Sequence, residues 1–213
     1  SFYDQSSPLV SQVVHYTNVD NSLVNNDVNS IIEDRWGKLW FATNNGISCW
    51  DVANDRWERF YHNNQKQAQV FLSLCEDHQG RIWAGTYSSG VYILDSFTGA
   101  ELGHYPQDRN DASLVSDFII DIYKDTEGDI WLGGVNGDLL CYLSRDNKFC
   151  SYSRQSINAL GQLAPDKMLL GCTYGLSLLD KNSGVIEPLL LGLLIYDILT
   201  LGDDIWICTS GDG

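Results

Sequence analysis

Basic side chains are scarce in this sequence. The 213 residues include 13 Lys and Arg against 28 Asp and Glu, which gives a formal net charge of −15. A surface this acidic repels a phosphate backbone and an anionic bilayer. We therefore predict no nucleic-acid partner, whereas neutral ligands such as sugars remain compatible with the charge. Because 44% of the residues are hydrophobic, the chain has enough apolar side chains for a packed globular core.

Long apolar runs are also missing. The longest, residues 189–196, is followed by Asp197. A bilayer-spanning helix needs about 20 apolar residues, so this run predicts the outer strand of one repeat followed by the inner strand of the next. The chain starts at Ser1 without a signal peptide, which suggests a trimmed or mature start. We expect membrane attachment only through segments outside these residues.

The common signatures of metal sites and catalytic centres are absent. There is no C-x-x-C pair, no G-x-S-x-G, no H-E-x-x-H and no phosphate-binding loop, and the four His residues are scattered. We predict no catalytic residue, no metal and no cofactor. Cys141 and Cys150 lie symmetrically about the turn at 145–146, so a disulfide and two free thiols both remain open. Cys172 and Cys208 occupy positions that hold small residues in the other repeats.

One short motif recurs along the chain. An Asp, a Gly three residues later and a Trp three residues after that occur in residues 34–43, 77–86 and 125–134. A degraded copy ends at 168–172, and another covers 203–209. Asp bonds its own backbone in tight turns and Gly accepts positive φ, so each copy predicts a strand, a tight turn and a strand with the Trp in its middle.

Each period contains two further short strands. Four strands in a period of roughly 40 residues are typical of a β-propeller blade. We predict an all-β protein, a β-propeller of four-stranded antiparallel blades, of which this chain is an incomplete piece of about four and a half blades. The predicted blades cover residues 22–62, 70–106, 114–153 and 157–188, with a partial blade at 194–213. Residues 13–17 resemble the outer strands and are predicted to form one that lacks its own blade.

The predicted inner strands align in columns. Two columns are apolar: one has Val28, Phe71, Ile119 and Ile195, and the other has Ile31, Leu74, Ile122 and Ile198. A polar column between them has Ser30, Ser73, Asp121 and Asp197. Inner strands border the central channel of a propeller, so these polar groups either face it, holding water, a cation or a polar ligand, or tie neighbouring blades by hydrogen bonds.

The turns between second and third strands supply the candidate ligand-binding residues. Amides exchange hydrogen bonds with hydroxyls in two directions, and an aromatic ring can cover the apolar side of a pyranose. The candidates are Tyr87, Tyr174, Asn45, Asn136 and Ser88. The two tyrosines are the stronger candidates because a turn has no need of an aromatic side chain.

The repeated motif, with its Ser-Leu-Val lead-in at 22–24 and 113–115, resembles the two-component regulator propeller repeat. The resemblance implies the periplasmic sensor domain of a membrane-bound hybrid two-component receptor of the Bacteroides type. Such a domain would bind an oligosaccharide and signal to a histidine kinase that this chain does not contain. A homodimer formed through the full receptor would be compatible with it.

Two other functions remain open. The Gly-x-Ile/Leu-Trp hairpins also resemble streptogramin lyase propellers and, more loosely, the sialidase Asp-box, which would make the chain a glycan- or antibiotic-directed lyase or hydrolase. Against this, Gly follows Asp by three residues and no His/Glu metal pair is present. A protein-interaction scaffold is the third interpretation, although the repeats do not share the Trp-Asp signature of such scaffolds.

Overall fold

The computed structural model describes residues 13–60, 70–105, 117–135, 139–153, 155–202 and 204–211. These residues form 18 β-strands and contain no helix. The strands fall into four antiparallel sheets of four strands and one sheet of two. We call the sheets blades 1 to 5 in chain order.

The strands have the following bounds. Blade 1 comprises β1 (Val28–Glu33), β2 (Lys38–Thr43), β3 (Gly46–Asp51) and β4 (Arg56–Phe60). Blade 2 comprises β5 (Phe71–Glu76), β6 (Arg81–Thr86), β7 (Val91–Asp95) and β8 (Glu101–Tyr105). Blade 3 comprises β9 (Ile119–Lys124), β10 (Ile130–Gly134), β11 (Leu139–Leu143) and β12 (Lys148–Ser153). Blade 4 comprises β13 (Ile157–Ala164), β14 (Lys167–Cys172), β15 (Gly175–Asp180) and β16 (Ile186–Leu191). Blade 5 comprises β17 (Ile195–Leu201) and β18 (Asp204–Thr209).

Within each blade, every strand pairs with the next one in the chain. The first strands of successive blades also contact one another in chain order, β1 with β5, β5 with β9, β9 with β13 and β13 with β17. These first strands are therefore the inner strands, arranged around a common axis. The predicted all-β propeller of four-stranded antiparallel blades is confirmed.

The tight turns form as the motif predicts. Gly37, Gly80 and Gly128 have φ values of 77°, 82° and 86°, which a residue with a Cβ rarely adopts. Each turn delivers the following Trp to the middle of a second strand. Trp40 and Trp83 are both fully buried there, as is Trp131.

The core lies between the blades. Trp40 packs among Phe71, Leu74 and Tyr92 of blade 2, and Trp83 packs against blade 3 in the same way. The next two layers, between blades 3 and 4 and between blades 4 and 5, repeat the arrangement. Leu169 takes the place of Trp in blade 4 and is fully buried. Burying one face of each sheet against the next is what holds the repeat together.

The two end faces of the stack differ from the prediction. The sequence pattern groups Ile31 with Leu74 in one apolar column, but Leu74 is 5% exposed and Ile31 is 57% exposed. Trp206 occupies the Trp position of blade 5 and is 63% exposed. In the described part of the chain, no blade packs against the outward face of either end blade.

The prediction of a strand at 13–17 is wrong. These residues form no strand. They lie beside the lead-in of blade 1 at 22–24, where the His15 ring bonds the Leu23 carbonyl at 2.7 Å. Arg59 fixes the same loop by donating to Ser22 Oγ at 2.8 Å. The apolar alternation suits a strand, but an outer strand needs the third strand of a blade to pair with.

Cys141 and Cys150 lie directly opposite each other in β11 and β12, as the symmetry about their turn indicates. Both are free thiols. Burial raises the pKa of the Cys141 thiol, which keeps it protonated at neutral pH. Of the other predicted features, Asn136, Asp203 and the 113–115 lead-in lie outside the described residues.

Candidate functional site

The propeller has two faces with different roles. One is made by the turns between second and third strands and by the segments that enter the inner strands; we call it the loop face. The two kinds of segment bond each other there, as in Tyr87 N–H to the Val70 carbonyl at 3.2 Å and Gly192 N–H to the Tyr174 carbonyl at 3.0 Å. The opposite face carries the Asp-Gly turns, and we call it the turn face.

The repeated geometry of the turn face is a carboxylate clamp, in which one Asp side chain holds both its turn and the ring of the following Trp. Asp34 Oδ1 accepts the backbone N–H groups of Trp36 at 2.9 Å and Lys38 at 3.0 Å, and Oδ2 accepts the indole N–H of Trp40 at 2.8 Å. Asp77 and Asp125 accept the equivalent three bonds at 2.8–3.0 Å. These carboxylates fix a hairpin and its buried ring, so their role is structural.

Basic side chains neutralise two of the clamps. Arg81 Nε donates to Asp77 Oδ2 at 2.6 Å. Although burial opposes ionisation, hydrogen bonds from Trp83 and Arg81 hold the pKa of Asp77 below its usual value. In blade 3 the cation comes from the neighbouring blade, as Lys181 Nζ lies 2.8 Å from Asp125 Oδ2 and 2.5 Å from Glu127 Oε2.

Lys181 also lies at the acidic cluster of the turn face. Within the described ranges, Asp125, Glu127 and Asp129 are the only group of acidic, His or Cys side chains close enough together to share an ion. Lys181 contacts two of the three, and its side chain is only 10% exposed. The ammonium group occupies the place that a metal would take.

A central cavity of about 700 Å³ opens between the inner strands. Residues of all five blades line it: Asn29, Ser30, Leu72, Ser73, Ile120, Asp121, Asn158, Thr173, Leu194, Tyr196 and Asp197. The structure thus brings together all four members of the polar column predicted from the sequence. A cavity of this size, lined by polar groups from several elements, has the dimensions of a small-molecule site.

Several of these polar groups also tie neighbouring blades. Asp121 Oδ2 accepts the Leu160 N–H of blade 4 at 2.7 Å. The Asn29 amide donates to the Phe71 carbonyl at 2.7 Å, and the Asn158 amide donates to the Ile195 carbonyl at 3.2 Å. The interpretation of the column as inter-blade hydrogen bonds therefore holds for Asp121, and two asparagines beside the column act in the same way.

Other groups of the cavity are not used in such ties. Ser73 is 5% exposed, and its hydroxyl has no hydrogen-bond partner within the described chain. Asp197 Oδ1 accepts the N–H of Ile198 at 2.8 Å, which is the only hydrogen bond of its side chain to the described residues. Burial raises the pKa of Asp121 to about 6, and the charge of Asp197 adds to this, while N–H groups of Leu160 and Ile122 oppose it.

A second cavity of about 400 Å³ lies on the loop face above blade 4. Thr173 lines both cavities, so the two are adjacent. Tyr174, which is 81% exposed, lines the second cavity together with apolar residues that include Pro188 and Leu190. The Gln155 Nε2 group is buried there and lacks a hydrogen-bond partner in the described structure.

Of the predicted ligand-binding residues that the structure describes, one lines a cavity and three do not. Tyr174 lines the second cavity, whereas Tyr87, Ser88 and Asn45 line neither cavity. Tyr87 is 57% exposed and packs against Phe118 with ring centroids 4.7 Å apart. Ser88 is exposed beside it, and the Asn45 N–H caps its own turn through Thr43 Oγ1 at 3.1 Å.

Several residues of the two cavities were not predicted. Asn29 and Asn158 each directly follow the first apolar residue of an inner strand. This shared position in the strand is the sequence feature that could have identified them. Tyr196 stands at the same offset in blade 5 and is 55% exposed. Gln155 carries no sequence signal, because its burial depends on the outer strand of blade 4.

These observations define the class of protein as a β-propeller with Asp-clamped Trp hairpins and a polar central cavity. Three segments, residues 22–45, 65–88 and 113–136, match the family described as two component regulator propeller. The chain therefore carries repeats of the two-component regulator propeller family, as the sequence resemblance implied. No curated protein matches the chain.

Solved structures share the fold at low sequence identity. The extracellular domain of the putative hybrid two component system BT3049 from B. thetaiotaomicron has a TM-score of 0.74 at 19% identity and covers 99% of this chain and 28% of its own. The corresponding domain of BT4673 from the same organism has a TM-score of 0.72 at 19% identity, over 86% of this chain and 26% of its own. The chain thus spans about a quarter of the length of these structures.

Proposed function

We propose that this chain is a ligand-sensing part of the extracytoplasmic, periplasmic domain of a membrane-bound two-component regulator. It binds an oligosaccharide on the loop face, and the receptor passes the signal to a histidine kinase. The observation that carries the proposal is the polar central cavity beside the exposed Tyr174, in a propeller whose repeats match this regulator family.

The similar structures support the extracytoplasmic location, since both are extracellular domains of putative hybrid two component systems. None of the described residues forms a helix suited to crossing a bilayer. We infer that membrane attachment and the kinase belong to other segments of the receptor, which can also provide contacts for a homodimer.

The chemistry of the loop face fits a sugar. The exposed Tyr174 ring can cover the apolar side of a pyranose, and hydroxyl and amide oxygens of the adjacent cavity can pair with its hydroxyl groups. Thr173 lines both cavities, so one oligosaccharide can occupy them with successive rings.

A thermal-stability screen against a panel of glycan fragments tests this function. A ligand that binds only the folded state at 100 times its Kd stabilises it by about 2.7 kcal/mol, which raises the melting temperature measurably. The same mixtures are analysed for new sugar products by chromatography. We expect stabilisation without turnover, and loss of it in Tyr174→Ala but not in Tyr87→Ala. Product formation would point to the enzyme interpretation instead, and a panel with no stabilising member would refute glycan sensing.

A further inference from the structure

The central cavity contains more hydrogen-bond acceptors than donors. Both Asn29 amide hydrogens are used, one on the Asn44 Oδ1 atom at 2.9 Å and one on the Phe71 carbonyl at 2.7 Å. The Asn158 amide donates to the Ile195 carbonyl. The blade ties therefore use the amide donors, whereas the oxygen atoms of these two side chains have no partner among the described residues.

Two carboxylates add negative charge to the same cavity. Asp121 and Asp197 both line it and influence each other electrostatically. None of the described residues that line it is Lys, Arg or His. A carboxylate or sulfate group entering the cavity would meet like charge and acceptor atoms, and burying such a group without a partner is costly.

The buried hydroxyl of Ser73 adds an unpaired polar group to the same cavity. Ser73 lines the cavity, is 5% exposed and has no hydrogen-bond partner in the part of the chain described here. Buried polar atoms are rarely left unpaired, so a missing partner points to a group that is added later. A hydroxyl can accept a bond from an N–H group as readily as it donates one.

From this arrangement we infer that the central cavity selects amine-bearing oligosaccharides over their N-acetylated counterparts and excludes uronate oligosaccharides. A protonated amine brings three donors and one positive charge to a site of free acceptors and two carboxylates. The inference rests on the proposed glycan-sensing function and adds the charge class of the sugar.

The test compares three tetrasaccharides of matched length by isothermal titration calorimetry at 200 mM salt, so that long-range attraction is screened. They are the glucosamine tetramer, the N-acetylglucosamine tetramer and the galacturonate tetramer. We expect the glucosamine tetramer to bind at least about tenfold tighter than the acetylated one, as one extra charge-assisted hydrogen bond provides. No binding is expected for the galacturonate tetramer. Spermine, a cation without a sugar ring, is expected to bind more weakly than the glucosamine tetramer.

Charge-neutral variants test whether the cavity carboxylates cause the preference for the glucosamine tetramer. Asp121→Asn and Asp197→Asn keep an acceptor oxygen but remove the charge, and each is expected to reduce the glucosamine preference about fivefold or more. Asp146→Asn removes the same charge from an exposed turn on the turn face and is expected to leave it unchanged.

The possible outcomes separate the two proposals. Equal binding of the glucosamine and acetylated tetramers, tighter binding of galacturonate, spermine as the strongest ligand, or an unchanged preference in both cavity variants would each overturn the charge selectivity while leaving glycan sensing intact. Failure of every tetramer and of the wider glycan panel would instead overturn the sensing function itself.

Discussion

At the scale of single residues, the turn-face aspartates explain why the motif needs Asp and Trp together. One carboxylate oxygen holds the turn, and the other holds the indole N–H six residues later. The sequence predicts the first interaction, because Asp and Gly three residues apart form a known turn. The second depends on the ring orientation, although the constant spacing of six residues was visible in all three motifs.

We expect Asp77→Asn to lower the free energy of unfolding by about 2–4 kcal/mol, because the amide nitrogen cannot accept the Trp83 N–H and leaves Arg81 without its ion-pair partner. Urea denaturation followed by tryptophan fluorescence measures the change. Asp146→Asn, on an exposed turn, serves as the control and should change stability by less than about 0.5 kcal/mol. Equal effects in the two variants would contradict a structural clamp.

A pH dependence follows from Asp121. Its folded pKa of about 6 lies above the ordinary value of 3.8, so the folded state holds this proton more tightly than the unfolded state. The stabilisation is fully present below about pH 4 and is lost as the pH rises through 6. Relative to the wild type, Asp121→Asn should therefore gain on the order of 1–2 kcal/mol in unfolding free energy between pH 4.5 and pH 7.5.

Urea denaturation at four pH values measures this difference. Asp121 faces Asp197 and the Cys75 thiol, whose pKa is raised to about 12, so the thiol does not titrate in this range. Asp146→Asn should run parallel to the wild type. A difference between Asp121→Asn and the wild type that stays constant with pH would show that the buried carboxyl titrates normally.

At the scale of elements, the small residue two positions after the Trp controls how closely blades approach. A Cβ added at Gly85 would lie 2.8 Å from the Ile119 carbonyl oxygen of blade 3 and 2.5 Å from Ser73 Oγ. At Gly171 the corresponding distance to the Ile195 side chain of blade 5 is 2.7 Å. Glycine at these positions therefore lets the inner strand of the next blade lie directly against the backbone of the second strand.

Gly85→Ala is expected to destabilise the protein by about 1–3 kcal/mol, because a backbone oxygen cannot move aside without separating blades 2 and 3. Differential scanning calorimetry measures the change. Gly103→Ala is the matched control, since the nearest atom to its added Cβ is 3.6 Å away. A stable Gly85→Ala protein would mean that the inner strands have room to separate.

The strands themselves could be predicted from sequence because their period and turns are local properties. The exception, residues 13–17, shows the limit of such reasoning. Their alternation is compatible with a strand, but each third strand among the described residues already pairs with its own fourth strand, and blade 5 comprises two strands there. Pairing partners are a property of the whole sheet, which no short window of sequence contains.

At the scale of the whole molecule, the stack of blades presents an open apolar face at blade 5. Trp206 is 63% exposed there, together with Leu199 at 57% and Leu201 at 66%. The equivalent Trp residues of the first three blades are fully buried against the next blade. Large exposed apolar patches favour association.

We expect the 213-residue chain to self-associate or to bind a hydrophobic dye through this face. Trp206→Lys should reduce both by several-fold with little change in unfolding free energy, measured by sedimentation velocity and dye fluorescence. Trp36→Lys is the matched control, because Trp36 is 61% exposed on a turn of blade 1, away from this face. Equal effects of the two substitutions would show that exposed aromatic area in general, and not the blade 5 face, drives association.

The candidate site was only partly predictable, because local sequence patterns do not contain the contacts between distant residues. The polar column could be aligned because each inner strand repeats its own pattern, and the structure places its four members around one cavity. The donor of each blade tie depends on contacts between blades, and the burial of the Gln155 amide depends on contacts with the outer strand of blade 4. Those contacts join residues roughly 40 positions apart, beyond the reach of local patterns.

Each clamp is complete within a single hairpin and lies wholly on the turn face. Substitutions in the loop-face turns therefore leave the anchors of folding untouched. Relatives can therefore change their loop-face residues while keeping the same Asp–Trp clamps, so sequence variation among them should concentrate on the loop face.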